Sequence, residues 1–588
     1  MNNVKKLFMY MKPQNRFFYL SIALLILNIV LGMVNPYLQR LFVDKVLLKK
    51  DTTLLIKLVG LMISLSLITS LFNYLFTLLV EFSSQKTVSS IRQELYRHLQ
   101  ELSFSFYDKA RTGELMSRLT GDLEGIRVFI PGGFLQFINS IVTFLIALII
   151  LFTINYKLTL LSLCLSPFLI YISSIFNKKL RSAFKDIRQE YAVLNTTIQE
   201  NITGIKVVKA FVQELSEINR FKSVNKENMA KNIKVGYISG KYAPIMWFIG
   251  DISFVILIWF GGFLVQQHEM SLGELVQFNG YLWAMIWPLR ALPNILNMFE
   301  QANTSGERIF GLLNQKPQIK NPENPVTVDK IYGNIVFENV SMKYDGEYVL
   351  KNINLSVEKG KKLAIMGATG AGKTSLVNLI GRYYDATEGK IKIDGIDIKQ
   401  IDLYKLRSSI GIVMQETFLF SDTIKNNIAF GKPDATMDEI IEAAKAAEAH
   451  DFILEMPNGY NTIVGERGVG LSGGQKQRIS LARAILKEPS ILILDDATSS
   501  VDMETESLIQ ENIKNIAYGK TTFIIAHRIS SVKDADEIIV LDNGYIVERG
   551  THKELLKRKG IYYHNFREQY RTMMGEKAMD DLLQEVNA

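Results

Sequence analysis

Apolar residues gather in six long runs over about the first 300 positions, and beyond that they break into short stretches separated by polar and glycine-rich segments. The runs extend over Phe17 to Leu38, Leu54 to Val80, Phe129 to Thr153, Leu158 to Phe176, Pro244 to Val265 and Leu272 to Met298. Each meets the roughly 20 residues that a helix needs to cross a hydrocarbon core. Six spans put both termini on one side of a membrane. Ile154 to Lys157 joins the third span to the fourth, and Gln266 to Ser271 the fifth to the sixth, so both are tight hairpins on one face. The other face carries long connections, Glu81 to Val128 and Asn177 to Ala243, rich in Lys and Arg such as Lys86, Arg92, Arg97, Lys109, Arg111, Arg118 and Arg127. Because Lys and Arg collect on the cytoplasmic side, the pattern predicts a multi-pass protein of the cytoplasmic (inner) membrane with both termini in the cytoplasm. Ile91, Leu95, Leu99 and Leu102 keep helical spacing past the second span, so the helices continue into the cytosol.

From Ile331 onward short β-like runs alternate with helical ones, the texture of an α/β domain. The expected division is an all-α six-helix transmembrane domain over residues 1–310, a linker over 311–330, an α/β nucleotide-binding domain over 331–575 and a polar tail over 576–588. A chain of 588 residues is too long for a single core. The net charge of +8 has no Lys/Arg block with interleaved aromatics behind it, so membrane topology explains it and nucleic acid is not an expected partner. Cys164 is the only cysteine, which excludes an intrachain disulfide. Lys5, Lys6, Lys12 and Arg16 precede the first run as in a signal peptide. That run is too long for one and meets Asn35-Pro36 and Arg40 in place of a cleavage site, so it reads as a retained span.

Lys362 to Met366 reads as a strand that ends on Gly367-Ala368-Thr369-Gly370-Ala371-Gly372-Lys373-Thr374 and opens a helix through Ser375 and Leu376. This fits G-x-x-x-x-G-K-[ST] in strand-to-helix context. Glycines let backbone N–H groups wrap phosphates, the helix start adds its positive dipole end, Lys373 reaches the β/γ-phosphates of ATP and the Thr374 hydroxyl can ligate Mg²⁺. A second strand, Ile491 to Leu494, delivers Asp495 at its carboxyl end as the hard oxygen partner for Mg²⁺. Between them Leu471-Ser472-Gly473-Gly474-Gln475 opens another helix and makes a second anion site. A chain with one phosphate cradle has no use for another on itself.

Leu471 to Gln475, the P-loop and the Asp495 strand together resemble the ATP-binding cassette superfamily, and six spans with cytosolic extensions ahead of them resemble its type IV exporters. The resemblance implies a dimer in which the signature of one cassette closes over the ATP on the P-loop of the other. It further implies that Tyr344 stacks on adenine, that Gln415 touches Mg²⁺ and the attacking water, and that His527 contacts the γ-phosphate. Ser499 to Asp502 becomes the loop where the cassettes communicate, and Gly465 to Gly468 the segment that meets the transmembrane domains. Short coupling helices are expected near Phe106 to Leu115 and Ile205 to Phe211.

One position departs from the family pattern. The hydrolytic Glu that follows the Walker B Asp is replaced by Asp496, a carboxylate one methylene shorter. In heterodimeric relatives one composite site is impaired, and this chain resembles the partner that supplies the weak Walker B. The expected function is thus ATP-driven export of an amphipathic or hydrophobic drug, lipid or peptide by alternating access, as one half of a dimer, with a homodimer as the alternative. A nucleotide-gated channel and a regulatory ATPase share the architecture. Asp251 inside the fifth span, with Trp247 four residues earlier on the same helix face, offers a carboxylate beside an aromatic surface suited to an organic cation.

Overall fold

Long apolar runs without helix-breaking clusters satisfy their own backbone hydrogen bonds, which is what a bilayer demands. The computed structural model describes residues 2–574 other than 466, 467, 469 and 498–502, and divides the chain into two units. The first, Met1–Gln100 with Ala110–Lys316, is helical. Its principal helices are α1 (Asn15–Gly32), α2 (Val34–Leu41), α3 (Thr52–Glu101), α4 (Gln136–Ile154), α5 (Ser166–Thr203), α6 (Glu214–Ile256) and α7 (Leu272–Leu313). Several of these helices run far beyond the length of a bilayer crossing: α3 holds 50 residues, α6 43 and α7 42.

Among the described residues, five helical runs, Lys12–Leu47, Thr52–Glu101, Thr112–Ile154, Tyr156–Thr203 and Glu214–Gln266, are long and apolar enough to cross a membrane. The sixth expected span falls within α7, which has the length but is diluted by Glu274, Gln277 and Asn279. Its polar content is tolerated because this helix carries the most buried residues of the unit, among them Phe278, Tyr281, Leu282 and Ile295. At its start Ser271 caps the helix in a capping box with Glu274. There the Asp44 carboxylate accepts from Ser271 Oγ (2.8 Å) and the Gly273 amide (2.8 Å), while Arg40 pairs with Glu274 at 2.9 Å.

The second unit, Glu101–Lys109 with Pro317–Ala588, is built on two sheets. Strands β1 (Ile335–Tyr344), β2 (Glu347–Val357), β4 (Glu388–Ile393) and β5 (Ile396–Asp397) form an antiparallel sheet in the order β2-β1-β4-β5. Strands β3 (Lys362–Gly367), β6 (Ile410–Val413), β7 (Ile491–Asp495), β8 (Thr521–Ile525), β9 (Glu537–Asp542) and β10 (Tyr545–Gly550) form the other, in the order β10-β9-β3-β8-β7-β6. The inner strands are near-continuous apolar runs, as expected when helices cover both faces of a parallel sheet; every residue of β7 and β8 is buried. A short helix, Phe104–Tyr107, belongs to this unit: Phe104 stacks on Tyr383 at 4.7 Å, and Ser105 donates to Gln318 at 2.7 Å.

Candidate functional site

Four parallel strands, β6, β7, β8 and β3, stand side by side and end on one edge of the larger sheet. The register pairs Val413 with Leu494, Asp495 with Ile525, and Ile365 with Ile525. The residues just past these pairs are therefore neighbours: Gln415 after β6, Asp495 and Asp496 at β7, His527 after β8, and the turn from Gly367 after β3. Ligands bind α/β sheets in this crevice beyond the carboxyl ends.

The turn after β3 runs straight into α8 (Lys373–Ile380), with Thr369, Gly370 and Ala371 at its tip and Ser375 in the first helical turn. Gly372 adopts φ +101°, and a Cβ there would lie 2.8 Å from Leu350 Cδ2 and 2.9 Å from the Val349 carbonyl, so the helix entry requires glycine. Lys373 Nζ donates to the carbonyls of Gly367 and Ala368, both at 2.9 Å. Thr374 Oγ1 donates to Asp495 Oδ2 at 2.8 Å. Burial lowers the Lys373 pKa, against the pull of Asp495 and Asp496. Burial raises that of Asp495, opposed by the Thr374 hydrogen bond, helped by Asp496, and opposed again by Lys373 and His527. The basic and acidic groups are thus electrically linked in one partly dry site.

Asp496 sits in the left-handed region at φ +52°, a conformation Asp tolerates better than most side chains. Its N–H donates to the Ile525 carbonyl at 2.9 Å, and its carbonyl accepts from Gln477 Nε2 at 3.3 Å. Gln477 lies on α9 (Gly473–Leu486), the helix that the signature opens. Ser472 caps that helix: its Oγ accepts from the Gln475 amide at 3.3 Å, and Gln475 Oε1 accepts from the Ser472 amide at 2.9 Å. Leu471 packs against the adjoining core and Gly474 follows Gly473 in the first turn. Gln415 and His527 are exposed; the His527 carbonyl accepts from Gln569 at 2.7 Å.

Tyr344 ends β1 at a hairpin whose second strand carries Val349 and Leu350 against Gly372. It is half-buried beside Tyr384, with ring centroids 5.9 Å apart, and Tyr384 Oη donates to Asp108 Oδ2 at 2.8 Å. Burial, then the hydrogen bond to Asp108, pushes Tyr344 up to about 12. Neither this Tyr344–Asp108–Tyr384 group, whose members are far apart along the chain, nor Gln477 is visible in the sequence pattern. Ser499 to Asp502, Glu466 and Arg467 lie outside the described residues.

The Trp247–Asp251 surface differs from expectation. Arg290 of α7 lies over the Trp247 ring, Cζ 4.2 Å from its centroid and 5.7 Å from that of Trp283. Its Nη2 donates to the carbonyls of Met246 (3.3 Å) and Trp247 (3.4 Å). A Cβ at Gly250 would lie 1.9 Å from that nitrogen, so glycine opens the space the guanidinium fills. The cation on this aromatic surface is the chain's own.

Among the described residues no group of three or more His, Cys, Asp or Glu is placed to hold a metal. The adjacent Thr374 hydroxyl and Asp495 carboxylate nevertheless fit Mg²⁺, which takes one or two carboxylates with substrate phosphates and water.

An apolar helical unit joined to a parallel sheet whose edge carries a phosphate-binding turn and paired carboxylates defines a membrane-bound P-loop ATPase. The ABC transporter transmembrane region is matched over residues 18–289 and the ABC transporter domain over residues 350–499, so the chain belongs to the ABC transporter family as a half-transporter with both parts fused. It is 42% identical over 575 residues to the uncharacterized ABC transporter ATP-binding protein YknU of Bacillus subtilis (strain 168), covering 97% of this chain and 98% of that protein. It is 37% identical over 563 residues to an ATP-dependent lipid A-core flippase of Syntrophus aciditrophicus (strain SB), covering 96% and 94%. The structure of a bacterial Atm1-family ABC exporter with ATP bound matches with a TM-score of 0.80 at 28% identity, over 94% of this chain and 98% of that one. The protein is an integral membrane ATPase that binds ATP and couples its hydrolysis to translocation.

Proposed function

We propose that this chain pairs with a second half-transporter to export an amphipathic or hydrophobic compound across the cytoplasmic membrane, and that it supplies the weaker of the two ATP sites. The observation that carries the reading is the gathering of Lys373, Thr374, Asp495, Asp496, Gln415 and His527 on one sheet edge, with Ser472 capping a different helix. The P-loop amides and Lys373 bind the phosphates, and Tyr344 receives the adenine. Thr374, Asp495 and Gln415 hold Mg²⁺, which supplies positive charge at the phosphate oxygens. Asp496 orients water and His527 contacts the γ-phosphate. The helix start at Gly473 and Gly474 closes over the partner's ATP.

Closure of the two cassettes biases the transmembrane helices between two arrangements, and hydrolysis resets them. The division at residues 310 and 331, and a cytoplasmic location for both termini and the cassette, belong to this reading. Similarity to a lipid A-core flippase supports an amphipathic cargo. The test is ATP-dependent flux of a hydrophobic fluorescent compound in proteoliposomes holding both halves. Flux that Lys373→Ala leaves intact, or ion current without matching ATP turnover, would refute the exporter reading.

A further inference from the structure

We propose that a polar cavity between α1, α3 and α4 is a binding subsite for an uncharged amphiphile bearing peptide-like amides, a proposal that rests on the exporter reading. The cavity measures about 450 Å³, within the range of pockets that take small ligands. Asn28 from α1, Asn73 and Thr77 from α3, and Gln136, Asn139 and Thr143 from α4 face into it. On α3 and α4 these residues recur at three- and four-residue spacing, so each helix presents one polar stripe on an apolar body. At 1.5 Å per residue, Asn28, Asn73 and Asn139 lie about 10–17 Å along their helices from Phe17, Val80 and Phe129, the ends that share one side of the membrane. Measured from the span ends read in the sequence, the three carboxamides fall within about 7 Å of one another in depth. The surrounding wall is apolar, with Leu25, Ile29, Phe76 and Leu135.

The hydroxyls are already engaged, Thr77 with the Asn73 carbonyl at 2.8 Å and Thr143 with Asn139 Oδ1 at 3.2 Å. Among the described residues the carboxamides of Asn28, Asn73 and Gln136 have no protein partner. Amides at this depth require a partner, because hydrocarbon provides none. Charge at the site is balanced: Glu81, at one end of the cavity, is paired with Arg127 at 2.5 Å. Neither an anion nor a cation finds an uncompensated opposite charge. A ligand with several neutral donors and acceptors on an apolar body matches both the stripes and the wall.

The experiment uses the assembled transporter made cysteine-free, with Cys164→Ser in this chain, and Asn139→Cys as a reporter labelled by a small neutral thiol reagent. Three twelve-carbon amphiphiles are compared: N-dodecanoyl-dialanine amide, dodecyl sulfate and dodecyltrimethylammonium. The dialanine amide is expected to slow labelling at least fivefold and the charged pair less than twofold. Adding Asn73→Leu should cut the amide's protection by about tenfold in concentration. No protection by any of them, meaning a cavity that holds only water, overturns the proposal, as does equal or stronger protection by a charged amphiphile. Should Asn139→Cys fail to fold, Thr143→Cys reports on the same wall. Labelling needs no transport, so loss of flux in proteoliposomes with protection intact would defeat the exporter reading alone.

Discussion

Lys373 spends its ammonium on two neutral carbonyls of its own turn, and phosphate oxygens offer charge-assisted hydrogen bonds that are roughly twice as strong. Lys373→Ala should therefore weaken ATP binding at this chain's site by at least tenfold while membrane insertion stays normal; a binding titration on the solubilised protein checks both the size and the site. Arg290 makes an opposite case. Its guanidinium covers the Trp247 ring, so this aromatic surface already holds a cation. Asp251→Asn is accordingly expected to leave transport of a lipophilic cation within twofold of wild type. A loss above tenfold in a correctly folded variant would restore the cation surface read from the sequence. The sequence showed that Trp247 and Asp251 share a helix face but not which helix lies across from them, because Arg290 arrives from a separate helix. The P-loop was legible for the converse reason: its chemistry is the geometry of one continuous turn.

Elements carry a second layer of constraint. The helix that the signature opens reaches back through Gln477 to the part-buried carbonyl of Asp496, and removing that donor takes away a hydrogen bond, at a cost of about 0.5–1.5 kcal/mol. Gln477→Leu should lower the unfolding midpoint of the protein, while exposed Lys445→Ala should not; differential scanning fluorimetry separates them. A pH effect is expected at the helix His552–Arg558, whose first residue touches the buried Tyr562 through Nδ1 at 2.6 Å. Burial, then Lys533, holds His552 below its usual pKa, so the folded state binds its proton later than the unfolded one. Its contribution is present above about pH 6.5 and is lost as pH falls through the lower folded value. The midpoint should drop more between pH 7.5 and 5.5 in wild type than in His552→Asn, and equal drops would count against that assignment. The strands that lead into the P-loop and Asp495, and the six apolar runs, were readable because period and length report directly on burial. The polar dilution of Leu272–Leu313 was not seen as burial, since a helix packed inside a bundle can carry polar groups that a lipid-facing one cannot.

For the molecule as a whole the decisive feature is Asp496 beside an intact Leu471 to Gln475. A base must come within about 2.6–3.2 Å of the proton it takes, or act through one water, and Asp496 starts from a stem shorter than that of Glu. A shift of the backbone would restore the missing reach, but Asp496 is held on both sides, by the Ile525 carbonyl at its N–H and by Gln477 at its carbonyl. Moving it would break a strand-edge bond and a helix contact together. This chain's own P-loop, Asp495 and Asp496 would then form a site that binds ATP and turns it over slowly, facing the partner's signature. Its own signature would close the partner's competent site. The consequence is an asymmetry that mutation exposes. In the two-chain transporter, Ser472→Ala or Gly474→Asp should remove most ATP turnover, because each damages the competent site, whereas Asp496→Asn should reduce it by less than about threefold. The homodimer predicts the reverse for Asp496→Asn, since both sites would depend on it. Steady-state ATPase measurements on the chain alone and on the pair distinguish them. Vigorous turnover by the purified chain alone, abolished by Asp496→Asn, would reject the weak-site assignment and make this protein its own partner.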